Sequence, residues 1–271
     1  MTLIDGKLIA EKIILELRKE IIQLTKAKKR LPGLAIILVG EDEASKLYVK
    51  LKKQACHKTG IEAYDYLFSA NAPVNDLKET IDFLNNDPQI DGILIQLPLP
   101  AGLDADKAIA CIADEKDVDG LKSTSKTHSP LILAIYESIT ATGENLNGKN
   151  LLAVAKNENF VNSLKDFFKE KELRLEVINP DDPKLAEKMK TADVLISVAG
   201  KPGLVKRVMV KKDAMVIDCG INKINGKVVG DVDVQDVKDK VSWITPVPGG
   251  IGPITVAMLL KNCLQLYKTH K

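Results

Sequence analysis

The sequence predicts an α/β protein of two lobes, each built on a mainly parallel sheet, with a cleft between them. Three observations lead there. Continuous apolar runs such as Leu34–Val39, Ile93–Ile95 and Leu151–Ala155 are strand-sized, and strands buried on both faces read in this unbroken way. Amphipathic helical patterns alternate with these runs, as in a parallel sheet covered by helices. The chain has 271 residues, 45% apolar and 28% charged, which at roughly 150 residues per domain corresponds to about two domains.

The elements follow in order. Ile9, Ile13, Leu17, Ile21 and Leu24 recur at helical spacing, and Pro32-Gly33 ends that helix. Leu34–Val39 is a strand closing at Gly40. Ser45 is placed to cap a helix that runs to about Thr59 and stops at Gly60. Ile61–Leu67 is a strand, Val74, Leu77, Ile81 and Leu84 mark a helix, Ile90–Gln96 is a strand and Ala105–Ile112 a short helix. After Gly148 the alternation resumes. Strands are expected at Leu151–Ala155, Leu173–Ile178, Val194–Val198 and Met215–Asp218, with helices at Phe160–Phe168 and Leu185–Met189. Asn225-Gly226 between Ile221–Ile224 and Lys227–Val229 is a hairpin signal. A last helix lies within Ile251–Tyr267, starting near Pro253. The expected division is residues 1–120 for an N-terminal α/β lobe and residues 121–252 for a Rossmann-like parallel-sheet lobe. The helix over 253–271 folds back on the first lobe.

Composition excludes several functions. Lys plus Arg exceed Asp plus Glu by only 39 − 37 = 2, which gives no electrostatic reason to expect nucleic acid or an anionic membrane as partner. Aromatics are 4%, too few for a base-stacking platform. Met1–Lys7 lacks a basic segment followed by an apolar core, so no secretory signal is expected. No apolar run approaches the ~20 residues of a membrane span. Cys56, Cys111, Cys219 and Cys263 are widely separated, so buried thiols in a reducing cytoplasm are expected, and no metal site.

Four stretches could carry chemistry. Tyr48 and Lys52 share a face of one predicted helix, with Leu47, Leu51 and Ala55 assigned to the adjacent core-facing side. Gln96 lies at the carboxyl end of a strand, where open α/β sheets bind ligands. In Asp117-Val118-Asp119-Gly120, one aspartate can cap a turn while the other accepts hydrogen bonds from a ligand. Pro246-Val247-Pro248-Gly249-Gly250-Ile251-Gly252-Pro253 combines fixed φ with glycines that permit close backbone approach, and then enters a helix.

Taken together these stretches resemble the bifunctional methylenetetrahydrofolate dehydrogenase/methenyltetrahydrofolate cyclohydrolase family. The likeness runs through Val39-Gly40, Ser45-x-x-Tyr48-Val49-x-x-Lys52, Asp91-Gly92, Gln96-Leu97-Pro98-Leu99-Pro100 and Lys116-Asp117-Val118-Asp119-Gly120. It continues with Gly200-Lys201-Pro202-Gly203, Val216-Ile217-Asp218-Cys219-Gly220-Ile221-Asn222, Gly230-Asp231-Val232 and Thr245–Pro253. The blocks keep the family's order over nearly the whole chain. The resemblance implies a tetrahydrofolate derivative as substrate and a homodimer. It implies Lys52 as the catalytic lysine, Gln96 as its hydrogen-bonding partner, Tyr48 packed along the folate and Asp119 on the pterin edge. Pro248, Gly249 and Gly250 would close the far side of that pocket. The family's dinucleotide-contacting positions fall at Ala155, Lys156, Asn157, Gly200 and Gly220.

The chain departs from the family pattern in its second half. Where the family has G-x-S-x-x-V-G-x-P, this sequence reads Ala155-Lys156-Asn157-Glu158-Asn159-Phe160-Val161-Asn162-Ser163. A β-branched Val161 and an acidic Glu158 stand where a dinucleotide's phosphates need small, neutral neighbours. The family's Pro-Cys-Thr-Pro reads Thr127-His128-Ser129-Pro130, and the preceding loop Leu121–Lys126 is short. His128 is assigned to a loop, not to catalysis. Asn179-Pro180-Asp181-Asp182-Pro183 replaces the basic residues that receive a cofactor phosphate.

The leading expectation is therefore hydrolysis of 5,10-methenyltetrahydrofolate to 10-formyltetrahydrofolate, with NAD(P) binding and methylenetetrahydrofolate dehydrogenase activity weak or lost. The alternatives are a fully bifunctional dehydrogenase/cyclohydrolase and a folate-binding pseudoenzyme. Only a tuned Lys52–Gln96 pair separates the last from an enzyme.

Overall fold

A computed structural model describes residues 1–269. In chain order the first elements are β1 (Thr2–Leu3), α1 (Gly6–Lys26), β2 (Gly33–Val39), α2 (Glu43–Thr59), β3 (Glu62–Phe68), α3 (Val74–Asn86), β4 (Gly92–Ile95) and α4 (Ala105–Ala110). Then come α5 (Pro130–Thr140), β5 (Leu151–Ala155), α6 (Glu158–Glu170), β6 (Leu175–Ile178), α7 (Leu185–Met189), β7 (Val194–Val198) and β8 (Met215–Asp218). The chain closes with β9 (Asn222–Ile224), β10 (Lys227–Val229), α8 (Val234–Val237), β11 (Trp243–Ile244) and α9 (Ile251–Thr269). None of the described helices is long and apolar enough to cross a membrane.

The chain divides into two compact units. One holds Glu11–Pro130 and the chain from Val256 onward, and the other Met1–Ala10 and Leu131–Thr255. This differs from the division expected at residue 120, for reasons visible in the hydrogen bonds. Leu121 N and Lys122 N donate to Asp117 Oδ2 at 3.0 and 3.2 Å, and Asn262 Nδ2 donates to the carbonyls of Val118 and His128, both at 2.9 Å. The stretch after Gly120 is thus held on the first unit as far as Pro130. At the other end, β1 pairs in parallel with β11, which draws Met1–Ala10 into the second unit.

The first unit is built on a three-stranded parallel sheet of order β3-β2-β4. All seven residues of the central strand β2 are buried, as its unbroken apolar run requires. One face packs Ala35, Ile37, Val39, Ile93 and Ile95 against Leu77, Ile81 and Leu84 of α3 and Ala108 and Ile109 of α4. Helix α2 starts at Asp42, whose Oδ2 accepts from Ser45 N at 2.7 Å, so Asp42 and not Ser45 is the cap. Gly60 stops it in the left-handed region at φ 93°, donating its N–H to Cys56 O. The helix buries Ser45, Val49, Ala55, Cys56 and Thr59. Leu47 and Leu51, expected on the core side, are 56% and 43% exposed. The buried stripe is centred on Val49 and Cys56, which leaves only Ala55 of the three expected residues inside.

The second unit is a six-stranded parallel sheet of order β1-β11-β8-β7-β5-β6 with a separate antiparallel hairpin β9-β10. From β5 the chain goes to β6 on one side and to β7 on the other, so the strand order reverses between β5 and β7. That is the topological switch point where ligands of such sheets bind. Helix α5 was not expected from the sequence. None of its residues from Pro130 to Ile139 is exposed, and its apolar run Leu131–Tyr136 is too continuous for a helical period to be read from it. Asn225 at φ 49° and Gly226 at φ 78° form the hairpin turn in the expected place.

An ion pair locks the start of β4. Arg30 grips Asp91 through two hydrogen bonds of 2.6 and 2.7 Å, and Asp91 also accepts from Gly33 N at 2.9 Å. The Asp91 carboxylate is wholly buried. Removing its cation leaves an uncompensated buried charge, a loss typically worth about 3–5 kcal/mol. Arg30→Met is expected to lower stability by about 3 kcal/mol in urea unfolding, whereas a surface change such as Lys19→Met should leave the midpoint in place.

Candidate active site

The functional side chains of the first unit leave the sheet at its carboxyl edge. Gln96 follows β4 directly and is 7% exposed. Its Nε2 donates to Leu97 O at 2.7 Å, which fixes the amide so that Oε1 accepts from Lys52 Nζ at 2.9 Å. Lys52 sits in the third turn of α2, half-buried, one turn after the half-buried Tyr48. Burial lowers the Lys52 pKa, while Asp119 opposes that effect through its charge. Asp119 is itself pushed up to about 6 by burial, with Lys52 acting to lower it and Asp117 to raise it. Lys52, Gln96 and Asp119 thus form one electrostatic group.

The two aspartates of Asp117-Val118-Asp119 have divided roles. Asp117 Oδ2 takes the N–H groups of Leu121 and Lys122 and the hydroxyl of Ser125. Asp119, only partly buried, has no hydrogen-bond partner among the described residues and keeps its acceptor capacity. Cys56, one turn beyond Lys52, is an inert buried thiol whose pKa burial raises to about 12. Cys263 is buried as expected, whereas Cys111 and Cys219 are only half-buried. His128 is an exposed loop residue whose carbonyl receives Asn262.

Pro248, Gly249 and Gly250 belong to the second unit and form the turn into α9. Gly249 adopts φ 102°, a conformation that favours glycine. A Cβ on Gly6 would lie 1.8 Å from Gly250 O, so the turn is packed directly on the backbone at the start of α1.

The switch point of the second unit is bordered by two short loops. Ala155, buried, ends β5, and Lys156 and Asn157, both exposed, follow it. Asn157 caps α6, its Oδ1 accepting from Phe160 N at 2.9 Å. After β7 come Ala199, Gly200 and Lys201. Their three N–H groups donate to the buried carboxylate of Asp231 at 2.9, 3.2 and 2.9 Å. Lys156 and Lys201 both reach Asp181, at the end of β6. Gly220 is buried and donates to Asp218 Oδ1 at 2.9 Å, inside the same carboxylate network. The sequence singled out neither Asp218 nor Asp231 as a site residue. Both lie within quoted blocks, and what reveals them is burial, complete for Asp231 and nearly so for Asp218.

Both family models that match the chain describe one family. Residues 4–119 match the catalytic domain of tetrahydrofolate dehydrogenase/cyclohydrolase, and residues 131–271 match its NAD(P)-binding domain. The chain belongs to the tetrahydrofolate dehydrogenase/cyclohydrolase family. It is 39% identical to the bifunctional protein FolD of Nitratiruptor sp., covering 100% of this chain and 99% of that one. It is 40% identical to the FolD of Sulfurihydrogenibium sp., covering 99% and 98%. The crystal structure of bifunctional FolD from Campylobacter jejuni superposes with a TM-score of 0.94 at 35% identity over the full length of both chains. The Trypanosoma brucei enzyme, solved with NADP cofactor and inhibitor, gives 0.92 at 30% identity over 98% and 97%.

Membership of the tetrahydrofolate dehydrogenase/cyclohydrolase family corrects one expectation. Nothing in these likenesses supports loss of the cofactor half, since residues 131–271 match the family's NAD(P)-binding domain throughout. The repulsion expected from Asp181 is also offset, because that carboxylate lies between two lysines. Asp182 is engaged locally, accepting from Lys184 N at 2.7 Å. The residues present fit a dinucleotide: a capped helix start and two lysines at the switch point, with open space around Gly200.

Asp119 yields a stability prediction with a defined sign. Its pKa is about 6 folded and about 3.9 unfolded, so between those values the folded state holds the extra proton. Stability therefore falls as pH rises through this window. Asp119→Asn removes the term and is expected to gain, relative to the parent, on the order of 1–2 kcal/mol above pH 6 and nothing below pH 4. Urea midpoints of the two proteins across pH measure the difference, and the titration of Asp218 cancels between them.

Proposed function

We propose that the chain converts one-carbon units on tetrahydrofolate, with Lys52, Gln96 and Asp119 as the hydrolytic centre for 5,10-methenyltetrahydrofolate. The single observation that carries this is the bond from Lys52 to a fixed neutral amide, with burial lowering the lysine's pKa. A carboxylate in Gln96's place would raise that pKa and remove the lysine from acid–base work near neutrality. Methenyltetrahydrofolate is a cation with an electrophilic carbon between two nitrogens. In this reading Lys52 takes a proton from the water that adds to that carbon. It returns the proton to the departing nitrogen as the C–N bond breaks, and the second proton of the water leaves to solvent. The product is 10-formyltetrahydrofolate.

Asp119 accepts the donor edge of the pterin, and Tyr48 packs along the folate from the same helix face as Lys52. Full-length likeness to bifunctional relatives supports the companion oxidation of methylenetetrahydrofolate in the same chain. A bound NAD(P) would supply the hydride acceptor. The start of α6, capped by Asn157, is the place for its pyrophosphate, and Lys156, Lys201 and Asp181 border the place for its adenosine ribose. The altered turn Ala155–Ser163 bears on the affinity of that grip, and this favours a second reading in which oxidation is slow.

Lys52→Met is expected to reduce methenyltetrahydrofolate hydrolysis by roughly 10²–10⁴-fold with an unchanged urea midpoint. Hydrolysis at the parental rate would remove Lys52 from the mechanism. Asp119→Ala is expected to weaken a folate analogue roughly ten- to a hundredfold, the worth of a charge-assisted hydrogen bond. Equilibrium titration of the analogue measures it. Formation of reduced nicotinamide from methylenetetrahydrofolate and NAD or NADP decides between full bifunctionality and a slow oxidation step.

A further inference from the structure

Asp181 is unusual in its surroundings. It lies three residues beyond β6, the strand next to the one that carries the phosphate-binding turn. In dinucleotide-binding sheets an acidic side chain about 20 residues after that turn accepts the ribose 2′-hydroxyl, whereas basic groups there receive a 2′-phosphate. This chain has both kinds of group at the one place, and they are spent on each other. Lys201 Nζ donates to Asp181 Oδ1, and Lys156 Nζ lies 3.5 Å from Oδ2.

The arrangement is held from behind. Asp231, wholly buried, accepts from Ser197 Oγ, Ala199 N and Gly200 N on one oxygen, and from Lys201 N and Asn222 Nδ2 on the other. That fixes the backbone from which Lys201 extends. On the facing loop, Asn179 Oδ1 accepts from Asp181 N at 2.9 Å, which sets the turn that presents the carboxylate. The hydrogen bond from Lys201 holds the Asp181 carboxyl below the usual range, so it is ionised at neutral pH.

We propose that Asp181 sets the choice of dinucleotide, favouring a free ribose 2′-hydroxyl over a 2′-phosphate by keeping Lys156 and Lys201 on its own carboxylate. The inference rests on the dinucleotide half of the function proposed above. A 2′-phosphate has to displace Asp181 from two cations and then lie beside the displaced carboxylate. With Asp181 in place the three side chains sum to one positive charge, and without it to two. A 2′-hydroxyl meets no such competition and gains an acceptor.

Calorimetric titration of the full chain with NAD, NADP, 5′-AMP and 2′,5′-ADP is the test, because binding is read without turnover. The parent is expected to bind NAD more tightly than NADP. Asp181→Ala is expected to raise affinity for NADP and 2′,5′-ADP by roughly tenfold or more. The gain should shrink with added salt, as an exposed phosphate contact does. It should also disappear when Lys201→Ala is combined with Asp181→Ala. NAD and 5′-AMP should not gain in any variant. Tighter NADP than NAD in the parent, or an unmoved ratio in Asp181→Ala, overturns the role of Asp181 while leaving the dinucleotide site standing. Failure of both dinucleotides to bind parent and variant alike overturns the site itself, and this inference with it.

Discussion

Parallel strand pairing is the constraint from which the placement of Gln96 and of the second unit's edge loops follows. Parallel strands must each return by a crossover, so within a unit all carboxyl ends emerge along one edge. In the first unit that edge carries Gly40 after β2 and Gln96 after β4. In the second it carries Lys156 after β5, Asn179 to Asp181 after β6, Gly200 and Lys201 after β7, and Cys219 and Gly220 after β8. Strands β2, β4 and β5 are closed to chemistry, being apolar and buried. Gln96 and the loops of the second unit use the first residues beyond the strands, whereas Lys52 and Tyr48 are carried by helix α2.

Electrostatics then divides these residues by partner. Asp91 and Lys52 are both withdrawn from water, but they are treated in opposite ways. Asp91 is wholly buried and holds an arginine in a two-pronged contact, a structural ion pair. Lys52 meets an amide oxygen, which orients the ammonium group without stabilising its charge as a carboxylate would. The nearest acid, Asp119, is raised by the same burial that lowers the lysine.

The second unit uses buried carboxylates as scaffolding. Asp231 collects three successive backbone N–H groups after β7, and Asp218 accepts from Gly220, Asp231 and Val232. Loops at a ligand-binding edge cannot pair with a neighbouring strand, so their backbone donors need other acceptors. Two linked aspartates meet that need and hold Gly200 and Lys201 in place. The glycine-rich turn of the family is altered at Ala155 and Val161, yet the loop facing it keeps this support.

The sequence by itself determined the α/β class, the order of most elements and the pairing of Tyr48 with Lys52. These depend on periodicities of two and 3.6 residues, which are local properties. Gln96 was legible because a strand end is marked by Pro98, and the hairpin because Asn225-Gly226 tolerates positive φ. Only tertiary structure decided what depends on partners distant along the chain. Helix α5 reads as a continuous apolar run because none of its residues from Pro130 to Ile139 is exposed, and Leu47 and Leu51 are exposed because the packed stripe of α2 is centred on Val49 and Cys56. Met1–Ala10 joins the second unit because β1 adds to β11, more than two hundred residues away. The sequence placed Asp181 as a repulsive charge, since charge is read from composition. The structure sets it between Lys156 and Lys201, because an ionised side chain takes its meaning from the counter-charges that folding brings within reach.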